Sequence, residues 1–485
     1  MYFKFLKNIY SYSRLCWNVN NYYNDYIRSN EHNLELLKNI TDLIIDCGSV
    51  TIKFCQWITP KLELIYLDET SDSKEKPLWL KQLEKFYEDC PNHEDTITKE
   101  IYNQEFNDNF DDLYTIKRII GSGSIGQVYL VYNKEKKREE VIKVLHPNIE
   151  DQISFFKRIL SFFYSLPIIS SRLKKFFPVD TSQFINDFEE QIDLINEANH
   201  LLYFYQAYKD NQFIIIPELF QISSKMLIMS YEPGVSFDKS EINDYEKDKI
   251  VNLFHLFIRT NQMIKNYNHG DLHPGNWKIK EDSNNINKLI IYDFGYCWKI
   301  SRTKYKELGN IFIDTFEEAS KDNPQDSIDN LCKCMYFIVL YEGEDKETDY
   351  QTRIRKFLID NLNNIEPWKV SVSRLLKITI QFCIMESTTL DPILIQSFII
   401  ALQVQKLFER YDLQSSNNNI ISDYKVFRER YLTILAYCKT HNIFPEYSEL
   451  IENKLNQKQL KVESIFDTIQ LDEKIQKLAL KLKKI

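Results

Sequence analysis

The stretch NHGDLHPGNW, residues 268–277, followed by IIYDFGY at residues 290–296, carries the strongest structural signal in the chain. Only 10 glycines occur among the 485 residues, roughly a third of the usual 7%. Two of them stand in the first stretch and one in the second. Such sparing use indicates that each glycine occupies a place where a side chain does not fit. The two stretches therefore predict a tight loop and a turn with a demanding backbone geometry.

Three side chains in these stretches have the spacing of a phosphoryl-transfer site. Asp271 precedes Asn276 by five residues, and Asp293 follows Asn276 by 17. The five-residue separation lets one loop present a carboxylate to an attacking hydroxyl and an amide oxygen to a metal. Mg²⁺ prefers such hard oxygen ligands. We therefore expect Asp271 to be the catalytic carboxylate, and Asn276 and Asp293 to hold Mg²⁺.

A zinc site is the alternative for the two histidines of this loop. His269 and His273 stand four residues apart, a spacing that suits two ligands of one zinc ion. Pro274 and Gly275 instead indicate a loop, and no third ligand stands nearby in the sequence. The sequence favours His269 as a residue that packs beneath the catalytic loop.

A second glycine-rich motif, GSGSIGQV, occupies residues 121–128 between two β-rich runs. A glycine-rich hairpin allows the backbone to approach nucleotide phosphates and to direct N–H groups at them. The dinucleotide-binding version of the motif opens a helix, whereas strands are predicted on both sides of this one. The alternative is a plain tight turn. The expected nucleotide-binding residues here are Gly121, Ser122, Gly123, Ser124, Gly126 and Val128.

Lys143 stands between apolar residues in VIKVLHP, 17 residues after Gly126. An ammonium group that is buried without a partner is costly, so a lysine on an apolar strand needs a reason. Contact with nucleotide phosphates and an ion pair with a helix glutamate supply one. Glu197, in QIDLINEANHL, is the best candidate for that glutamate. The alternative is an edge-strand lysine that faces solvent.

The order of elements predicts an α+β fold of two lobes, of the protein-kinase-like type, with a helical N-terminal extension. Residues 1–66 show helical spacing, a polar loop follows at 68–77, and YTIKRIIG, QVYLVYN and EEVIKVLH read as strands. A helical region at 150–210 precedes two further predicted strands, FIIIPELF and KMLIMSYEPG. A helix at 241–267, the strand KLIIYDFG and a helical remainder from 303 complete the chain.

We assign residues 1–112 to the extension, 113–233 to the N-lobe and 234–485 to the C-lobe. MLIMSYEPG, residues 226–234, has the place of the hinge where adenine meets backbone groups, which makes Met229 and Glu232 expected nucleotide contacts.

The composition narrows the class of partner. The net charge is −9 and 44% of the residues are hydrophobic, which indicates a globular protein and argues against nucleic acid as the main partner. Nine scattered cysteines without a CxxC pair predict reduced thiols. No apolar run is long enough to predict a transmembrane helix.

The two ends of the chain each admit two interpretations. The N-terminal segment has Lys4, Lys7 and Arg14 and no acidic residue before Asp25, which fits a mitochondrial targeting segment or an ordinary amphipathic helix. The stretch LDEKIQKLALKLKKI, residues 471–485, has an apolar face bordered by lysines. It fits a helix docked on its own domain, which we favour, or one that lies on an anionic membrane surface.

In combination these motifs resemble the UbiB family of atypical, protein-kinase-like proteins. Lys53 and Gln56 in VTIKFCQWI resemble its KxGQ motif, which ordinary kinases lack. QIDLINEAN resembles its ExD-to-EA helix, and HGDLHPGN with YDFG resembles its catalytic pair. The agreement in order and spacing runs from about residue 45 to residue 300, and VLHP leans toward the mitochondrial branch of the family.

The resemblance implies a role for each matching residue. Lys143 would contact phosphates and pair with Glu197, Asp271 would be the catalytic-loop aspartate, and Asn276 and Asp293 would bind Mg²⁺. The family implies binding or hydrolysis of ATP or ADP, linked to ubiquinone and lipid metabolism at membranes. It also implies that the KxGQ segment folds across the cleft and blocks protein substrates.

Three departures from the family pattern bear on regulation. Cys55 replaces the glycine of KxGQ, and its side chain argues against the family's close docking of this segment. Gln191 stands where the glutamate of ExD is usual, with Asp193 retained, so the charge of that contact is altered. The loop at 121–126 is glycine-rich where the family is often alanine-rich, which predicts less restraint on phosphoryl transfer.

These features predict an Mg²⁺-dependent ATPase or small-molecule or lipid kinase, linked to ubiquinone or membrane lipid metabolism and located in mitochondria. One alternative is a nucleotide-binding pseudokinase that acts as a scaffold with little turnover. The complete catalytic set argues for the enzyme, because a scaffold has no need of all five of its residues, which are Lys143, Glu197, Asp271, Asn276 and Asp293. A second alternative is a phosphotransferase of the aminoglycoside- or choline-kinase type, against which KFCQ and QIDLINEA argue.

Overall fold

The computed structural model describes residues 2–29, 32–66, 77–84, 86, 92–164, 182–261, 265–283, 286–301, 324–340, 347–362, 365–370, 372–391, 393–396 and 399–400. Within these ranges, residues 2–164, 182–194 and 220–231 form a first compact unit, and residues 195–219 and 232–400 form a second. Nearly all of the predicted polar loop at 68–77, and the stretch 471–485, lie outside the described residues. The domain boundaries at 112 and 233 stay a prediction.

The first unit opens with a series of helices. These are α1 (Tyr2–Ser29), α2 (Leu34–Asp46), α3 (Ser49–Tyr66), α4 (Leu78–Glu84), α5 (Asp95–Phe106) and α6 (Phe110–Leu113). The side chain of Asn33 accepts a hydrogen bond from the Leu36 N–H at 3.1 Å and so caps the start of α2. Ile44 of α2 and Cys55 of α3 pack together in one apolar cluster. The predicted helicity of residues 1–66 is confirmed over its described part.

No helix among the residues just described, in either unit, is long and apolar enough to cross a membrane.

Strands follow these helices in the chain. They are β1 (Tyr114–Ser122), β2 (Gly126–Asn133), β3 (Arg138–Leu145), β4 (Ile214–Ile215), β5 (Leu219–Ile222) and β6 (Met226–Ser230). One sheet has the order β1–β2–β3–β6–β5. Its buried face packs against aromatic side chains that include Tyr102 of α5 and Phe110 of α6. The three strands predicted between residues 114 and 146 are confirmed.

Two more helices of the first unit, α7 (Ile149–Tyr164) and α8 (Ser182–Ile192), pack against α3. Phe54 of α3 meets the ring of Phe184 of α8 edge to face, with 5.0 Å between the ring centroids. Beside it, the indole N–H of Trp57 donates to the Asp187 carboxylate at 3.0 Å, and both side chains are buried. An apolar contact and a buried hydrogen bond therefore hold α3 against α8.

The second unit is mainly helical in its described part. Its remaining elements are α9 (Leu194–Tyr208), α10 (Asp244–Thr260), β7 (Asn268–His269), β8 (Trp277–Glu281), β9 (Asn287–Ile291), β10 (Cys297–Trp298), α11 (Pro324–Ile338), β11 (Val339–Leu340), α12 (Glu347–Asn361), α13 (Val372–Glu386) and β12 (Thr389–Leu390). Phe204 of α9, Phe257 of α10 and Phe294 are fully buried and pack on one another. This aromatic core lies directly beneath the segments that carry Asp271 and Asp293.

One expectation about strands is wrong, and one strand was not predicted. FIIIPELF is two strands: Ile214–Ile215 pairs in parallel with β9, and Leu219–Ile222 joins the edge of the five-stranded sheet beside β6. Pro217 separates them because proline has no N–H for a ladder. WKIKE, for which no strand was expected, forms β8 and makes an antiparallel hairpin with β9.

We predict that Gly126→Ala destabilises the protein and that Gly121→Ala does not. A Cβ atom at residue 126 would lie 2.5 Å from the carbonyl oxygen of Val144, whereas the nearest atom to one at residue 121 is the Val128 Cβ at 4.0 Å. Backbone at so short a distance does not yield easily, so we expect a loss of about 2–3 kcal/mol for Gly126→Ala and a change within about 0.5 kcal/mol for Gly121→Ala. Denaturant midpoints measure both, and equal midpoints for the two variants would contradict the packing described.

Candidate active site

The glycine-rich motif forms the hairpin between β1 and β2. Gly121 lies opposite Val128 in the ladder, and the N–H of Gly123 donates to the carbonyl of Gly126 at 2.9 Å. Gly126 is required because β3 passes directly beneath it. The hairpin therefore has the compact backbone geometry expected of a phosphate-binding loop, and the six residues predicted to bind nucleotide lie within it.

Helix α3 holds this loop through one side chain. The amide oxygen of Gln56 accepts a hydrogen bond from the Ser124 hydroxyl at 3.2 Å, and its amide nitrogen donates to the carbonyl of Phe86 at 2.7 Å. The Cys55 side chain is buried in the apolar cluster with Ile44, on the face of α3 that packs against α2. Its side chain does not keep Gln56 away from the loop, contrary to the expectation of weaker docking. Lys53 lies on the same helix, one turn before Gln56.

Lys143 lies in the interior of the sheet. It stands opposite Val128 of β2 on one side and Leu227 of β6 on the other, and it is 5% exposed. The alternative of a solvent-facing lysine on an edge strand is therefore wrong. A buried ammonium group on a central strand requires negatively charged or polar partners, which is the environment that nucleotide phosphates supply.

The ExD-like segment and the predicted glutamate fall in different units. Gln191 is buried at the end of α8, and Asp193 is exposed just after it. Glu197 lies in the first turn of α9, is 2% exposed, and belongs to the second unit, whereas Lys143 belongs to the first. The ion pair between Lys143 and Glu197 stays a prediction.

The loop at residues 268–277, the predicted catalytic loop, brings Asp271 and Asn276 together. The amide nitrogen of Asn276 donates to the carbonyl of Asp271 at 2.8 Å, which leaves the amide oxygen of Asn276 directed away from that bond. Nδ1 of His273 accepts from the N–H of Gly275 at 3.1 Å and caps the short helical turn that carries Asn276. The loop thus orients an amide oxygen that is a suitable ligand for Mg²⁺.

His269 supports the loop from below, as predicted. Its Nδ1 accepts from the N–H of Asp271 at 3.2 Å, and its Nε2 lies 2.9 Å from the carbonyl of Tyr292. A carbonyl only accepts, so Nε2 carries the proton and the ring is neutral. Burial lowers the pKa of His269 and favours this form. Because both ring nitrogens are engaged by the backbone, His269 does not form a zinc pair with His273.

Asp293 stands at a strained backbone position. Its φ is 54°, in the left-handed region that non-glycine residues rarely occupy. Its carboxylate accepts from the N–H of Gly295 at 3.3 Å. Strain at a polar side chain of this kind is a frequent mark of functional sites. Asp293 and Asn276 together offer hard oxygen donors, which fit Mg²⁺.

Phe294 links the segment after Asp293 to α9 and to the catalytic loop. Its ring contacts those of Phe204 and His269, with 4.9 and 5.1 Å between centroids. Its carbonyl lies 2.9 Å from Nδ1 of His200, on α9. The helix that carries Glu197 is therefore tied to the segment that carries Asp293.

The buried thiol of Cys297 is affected by the charges near Asp293. Burial raises the pKa of its thiol, and the nearby carboxylates of Glu197 and Asp293 raise it further. Both carboxylates thus act on one buried thiol of the second unit, which stays protonated and unreactive.

The predicted hinge residues have structural partners. The Glu232 carboxylate pairs with Lys280 at 3.1 Å, and its carbonyl accepts from the Tyr292 hydroxyl at 2.7 Å. Met229 is opposite Val141 in the sheet. Contact of Met229 and Glu232 with adenine stays a prediction.

One residue that positions the catalytic loop carried no signal in the sequence. The amide nitrogen of Gln396 donates to the carbonyl of Gly270 at 2.7 Å, across 126 residues of chain. The N–H of Gly270 donates to the carbonyl of Tyr296 at 2.8 Å, and the Tyr296 ring lies where a side chain at residue 270 would stand. A glutamine in a helical region is too common to predict such a contact.

Comparison with known proteins gives matches over the same region. Residues 85–325 match the model of the ABC1 atypical kinase-like domain, a span that contains the motifs of Lys143, Asp271 and Asp293 but not Lys53 and Gln56. "Probable serine/threonine-protein kinase abkC" of Dictyostelium discoideum is 29% identical over 253 residues, 50% of this chain and 35% of that protein.

Two further relatives show lower identity. "ABC1 family protein C21C3.03, mitochondrial" of Schizosaccharomyces pombe is 24% identical over 270 residues, 48% of this chain and 37% of that protein. "Probable protein kinase UbiB" of Cronobacter sakazakii is 23% identical over 310 residues, 59% of this chain and 53% of that protein. The chain thus spans about a third to a half of the length of these relatives.

We predict that neutral His269 makes the protein less stable in acid. The folded pKa is lowered below the unfolded value of about 6.5, so the unfolded chain takes up a proton that the folded chain does not. The free energy of unfolding contributed by this group is therefore complete above about pH 6.5. It falls below that pH by up to about 1.4 kcal/mol per pH unit.

Denaturant midpoints between pH 8 and pH 5 test this expectation, with His269→Gln as the control. Glutamine retains an Nε2 donor for the Tyr292 carbonyl but does not titrate. We expect a smaller loss of stability in acid for the variant than for the wild type. Parallel pH profiles would show that His269 is not the group responsible.

Proposed function

Because the chain belongs to the ABC1 atypical kinase-like family, we propose that it binds a magnesium nucleotide, ATP or ADP, and transfers or hydrolyses the terminal phosphoryl group of ATP. The observation that carries this proposal is the catalytic loop. There Asn276 is fixed by its amide nitrogen to the Asp271 carbonyl, so that an oxygen remains for a metal ligand. A loop that served only as a connection would not require that arrangement.

Each of the predicted residues has a separate role in this proposal. The backbone N–H groups of residues 121–126 and the Lys143 ammonium group contact phosphates. Asn276 and Asp293 hold Mg²⁺, which when bound neutralises charge on the phosphate oxygens. The fixed positions of these groups reduce the reorganisation needed during the reaction.

Asp271 is the proposed proton acceptor for the attacking hydroxyl or water. Its N–H is held by His269 and its carbonyl by Asn276, so main-chain atoms anchor the residue in the loop. Its side chain is 33% exposed, so the carboxylate is open to the solvent side of the loop. The chemical step thus needs no rearrangement of the loop.

The proposal also covers the phosphate acceptor, the metabolic pathway and the location of the protein. We propose a small molecule or lipid as phosphate acceptor, a link to ubiquinone or membrane lipid metabolism, and a mitochondrial location. The support is the family, the UbiB relative, the word "mitochondrial" in the name of the Schizosaccharomyces pombe relative, and the basic N-terminal segment. A nucleotide-binding scaffold with little turnover is the second candidate, because the same side chains would serve binding alone.

The test combines nucleotide binding with turnover in two variants. We expect Mg–ATP at 100 times its Kd to stabilise the wild type by roughly 2.7 kcal/mol, and Asp293→Asn to lose the magnesium-dependent part of this effect. Asp271→Asn should retain the stabilisation and lose phosphate release by a factor of about 10²–10⁴, as expected for a general base. Thermal unfolding and a phosphate-release assay measure the two quantities.

Each of the other results has a distinct meaning. Wild-type binding without turnover, under all acceptors tested, would favour the scaffold. Unchanged turnover in Asp271→Asn would remove that residue from the chemistry. The absence of any nucleotide effect on the wild type would refute the proposed function as a whole.

We also propose that the KxGQ-like segment restrains the glycine-rich loop through Gln56, with Lys53, Gln191 and Asp193 as further regulatory residues. The support is the hydrogen bond from the Ser124 hydroxyl to Gln56. Removal of one such bond is worth about 1 kcal/mol. Gln56→Ala should therefore raise the rate of autophosphorylation or ATP hydrolysis several-fold.

Cys55→Ala is the matched control on the same helix, because Cys55 faces the apolar cluster and not the loop. We expect this variant to have the wild-type rate, although the loss of packing lowers its stability. Equal rates for wild type and Gln56→Ala would argue against restraint by this segment. A rate increase in Cys55→Ala that matches Gln56→Ala would indicate general loosening instead.

A further inference from the structure

His146, which follows β3, makes two hydrogen bonds to the glycine-rich loop. Its Nε2 lies 2.9 Å from the carbonyl oxygen of Gly123, and its backbone N–H donates to the carbonyl of Ile125 at 2.9 Å. The side chain is buried, with 8% of its surface exposed. None of the roles assigned to the loop or to Lys143 accounts for this histidine.

A second histidine stands behind the first. Nδ1 of His93 lies 2.8 Å from Nδ1 of His146, and Nε2 of His93 lies 2.8 Å from the Thr98 hydroxyl oxygen. That hydroxyl lies 3.0 Å from the hydroxyl of Tyr129, and the backbone N–H of His93 donates to the amide oxygen of Gln127 at 3.0 Å. We call His146, His93 and Thr98 the histidine relay. It runs from the glycine-rich loop to α5, within the first unit.

The positions of the protons in the relay follow from its first acceptor. A carbonyl oxygen only accepts, so Nε2 of His146 carries a proton and donates to Gly123. In a neutral His146 ring Nδ1 is then the acceptor, and His93 must donate from its own Nδ1. Thr98 gives its single hydroxyl proton to Tyr129, so it does not fix the tautomer of His93. Through its Nδ1, His93 supports the neutral tautomer of His146 that holds the Gly123 carbonyl.

Both rings favour the neutral form around pH 7. Burial and, to a smaller extent, the adjacent His146 lower the pKa of His93 to about 4, with Asp95 opposing the effect. Burial also lowers the pKa of His146, while its bond to Gly123 opposes this. Protons on both facing Nδ1 atoms would bring two N–H groups within 2.8 Å of each other, which the geometry does not allow. The relay is thus constant over the neutral pH range.

The bond to His146 determines which way one peptide unit of the loop points. No peptide bond in the described chain is cis, and in a trans peptide the C=O of one residue and the N–H of the next point in opposite directions. When the Gly123 carbonyl points to His146, the Ser124 N–H points away from it. Glycine on its own does not hold a peptide in one orientation, so an external hydrogen bond is needed.

We propose that His146, oriented by His93, is a positioning residue that sets the Gly123–Ser124 peptide so that the Ser124 N–H is presented to a nucleotide phosphate. This inference rests on the proposed function, because the ligand of the loop is the nucleotide assigned there. The Ser124 hydroxyl donates to Gln56. The relay therefore holds the Gly123 carbonyl and the KxGQ-like helix holds the Ser124 side chain, so that both act on neighbouring residues of the loop.

Two substitutions at His146 separate the hydrogen bond from the packing of the ring. His146→Gln places an amide N–H near the position of Nε2 and retains a donor for Gly123, whereas His146→Asn is too short to reach it. Loss of a hydrogen bond of about 1.4 kcal/mol corresponds to a factor of ten. We therefore expect about tenfold faster amide hydrogen exchange in residues 121–126 and about tenfold weaker Mg–ADP binding for His146→Asn. Both values should be within about twofold of wild type for His146→Gln.

His93→Leu changes the residue behind His146 and leaves the bond of His146 to the loop available. It removes the group that selects the tautomer, so we expect a change in loop exchange and in affinity between those of wild type and His146→Asn. Exchange is measured by mass spectrometry on the full chain without nucleotide, and affinity by calorimetry with Mg–ADP. Denaturant midpoints equal to that of the wild type would show that His146→Gln and His93→Leu are folded. These two variants keep the test valid if His146→Asn does not fold.

The outcomes distinguish the relay from the proposed function. Wild-type exchange rates in His146→Asn and His93→Leu would overturn the relay, and equal losses in His146→Gln and His146→Asn would assign the effect to packing. Faster exchange with unchanged Mg–ADP affinity would overturn the positioning of the phosphate contact. A wild type that binds no Mg–ADP would refute the proposed function and the phosphate contact, while the exchange rates would still confirm or refute the ordering of the loop.

Discussion

Leaving a buried polar group without a partner is costly, and this constraint shapes both the glycine-rich loop and the predicted catalytic loop. An unpaired buried donor or acceptor costs about 1–3 kcal/mol, so each such atom selects conformations in which a partner is available. His269 is paired with two backbone groups that belong to different segments. His146 is paired with the Gly123 carbonyl of the glycine-rich loop, and Gln56 with the Ser124 hydroxyl. The contacts of His269 and Asn276 with Asp271 are local in sequence, whereas those of His146, Gln56 and Gln396 join distant segments.

This arrangement separates the atoms that hold a loop from the atoms proposed to do chemistry. In the catalytic loop, one imidazole nitrogen and one amide nitrogen engage the main chain of Asp271. In the glycine-rich loop, the carbonyl of Gly123 and the hydroxyl of Ser124 are engaged, and the proposed phosphate contacts come from N–H groups. Each loop is thereby ordered before a ligand arrives, which lowers the entropy lost on binding.

Much of the fold was predictable because its signals are local. The strands around the glycine-rich hairpin, the helices before residue 66 and the strand before Asp293 follow from residue type and spacing, and the structure confirms them. The kinase-like α+β class is also confirmed by the match of residues 85–325 to the ABC1 atypical kinase-like domain, and the resemblance to the UbiB family by that match together with the UbiB relative. The sequence placed Asp271 and Asn276 in one loop, while the hydrogen bond between them is known only from the structure.

The remaining features depend on contacts between distant parts of the chain. Gln396 reaches Gly270 across 126 residues, and His93 reaches His146 across 53, so no local pattern predicts either. The split of FIIIPELF depends on which sheet each half meets, although Pro217 marked the place. The buried orientation of Cys55 depends on a cluster formed by three separate segments. In each case tertiary packing decided between conformations that the local sequence allowed equally.

The central claim is that this chain holds a divalent cation through Asp293 and Asn276 in contact with a nucleotide phosphate. Mn²⁺ substitutes for Mg²⁺ at hard oxygen sites, and electron–nuclear double resonance detects phosphorus bonded through oxygen to the bound Mn²⁺. The sample is first freed of unbound nucleotide. The account then predicts an inner-sphere ³¹P coupling from ADP with the wild-type protein, and its loss in Asp293→Asn. A signal from fully hydrated Mn²⁺ alone, or a ³¹P coupling unchanged in the variant, would contradict it.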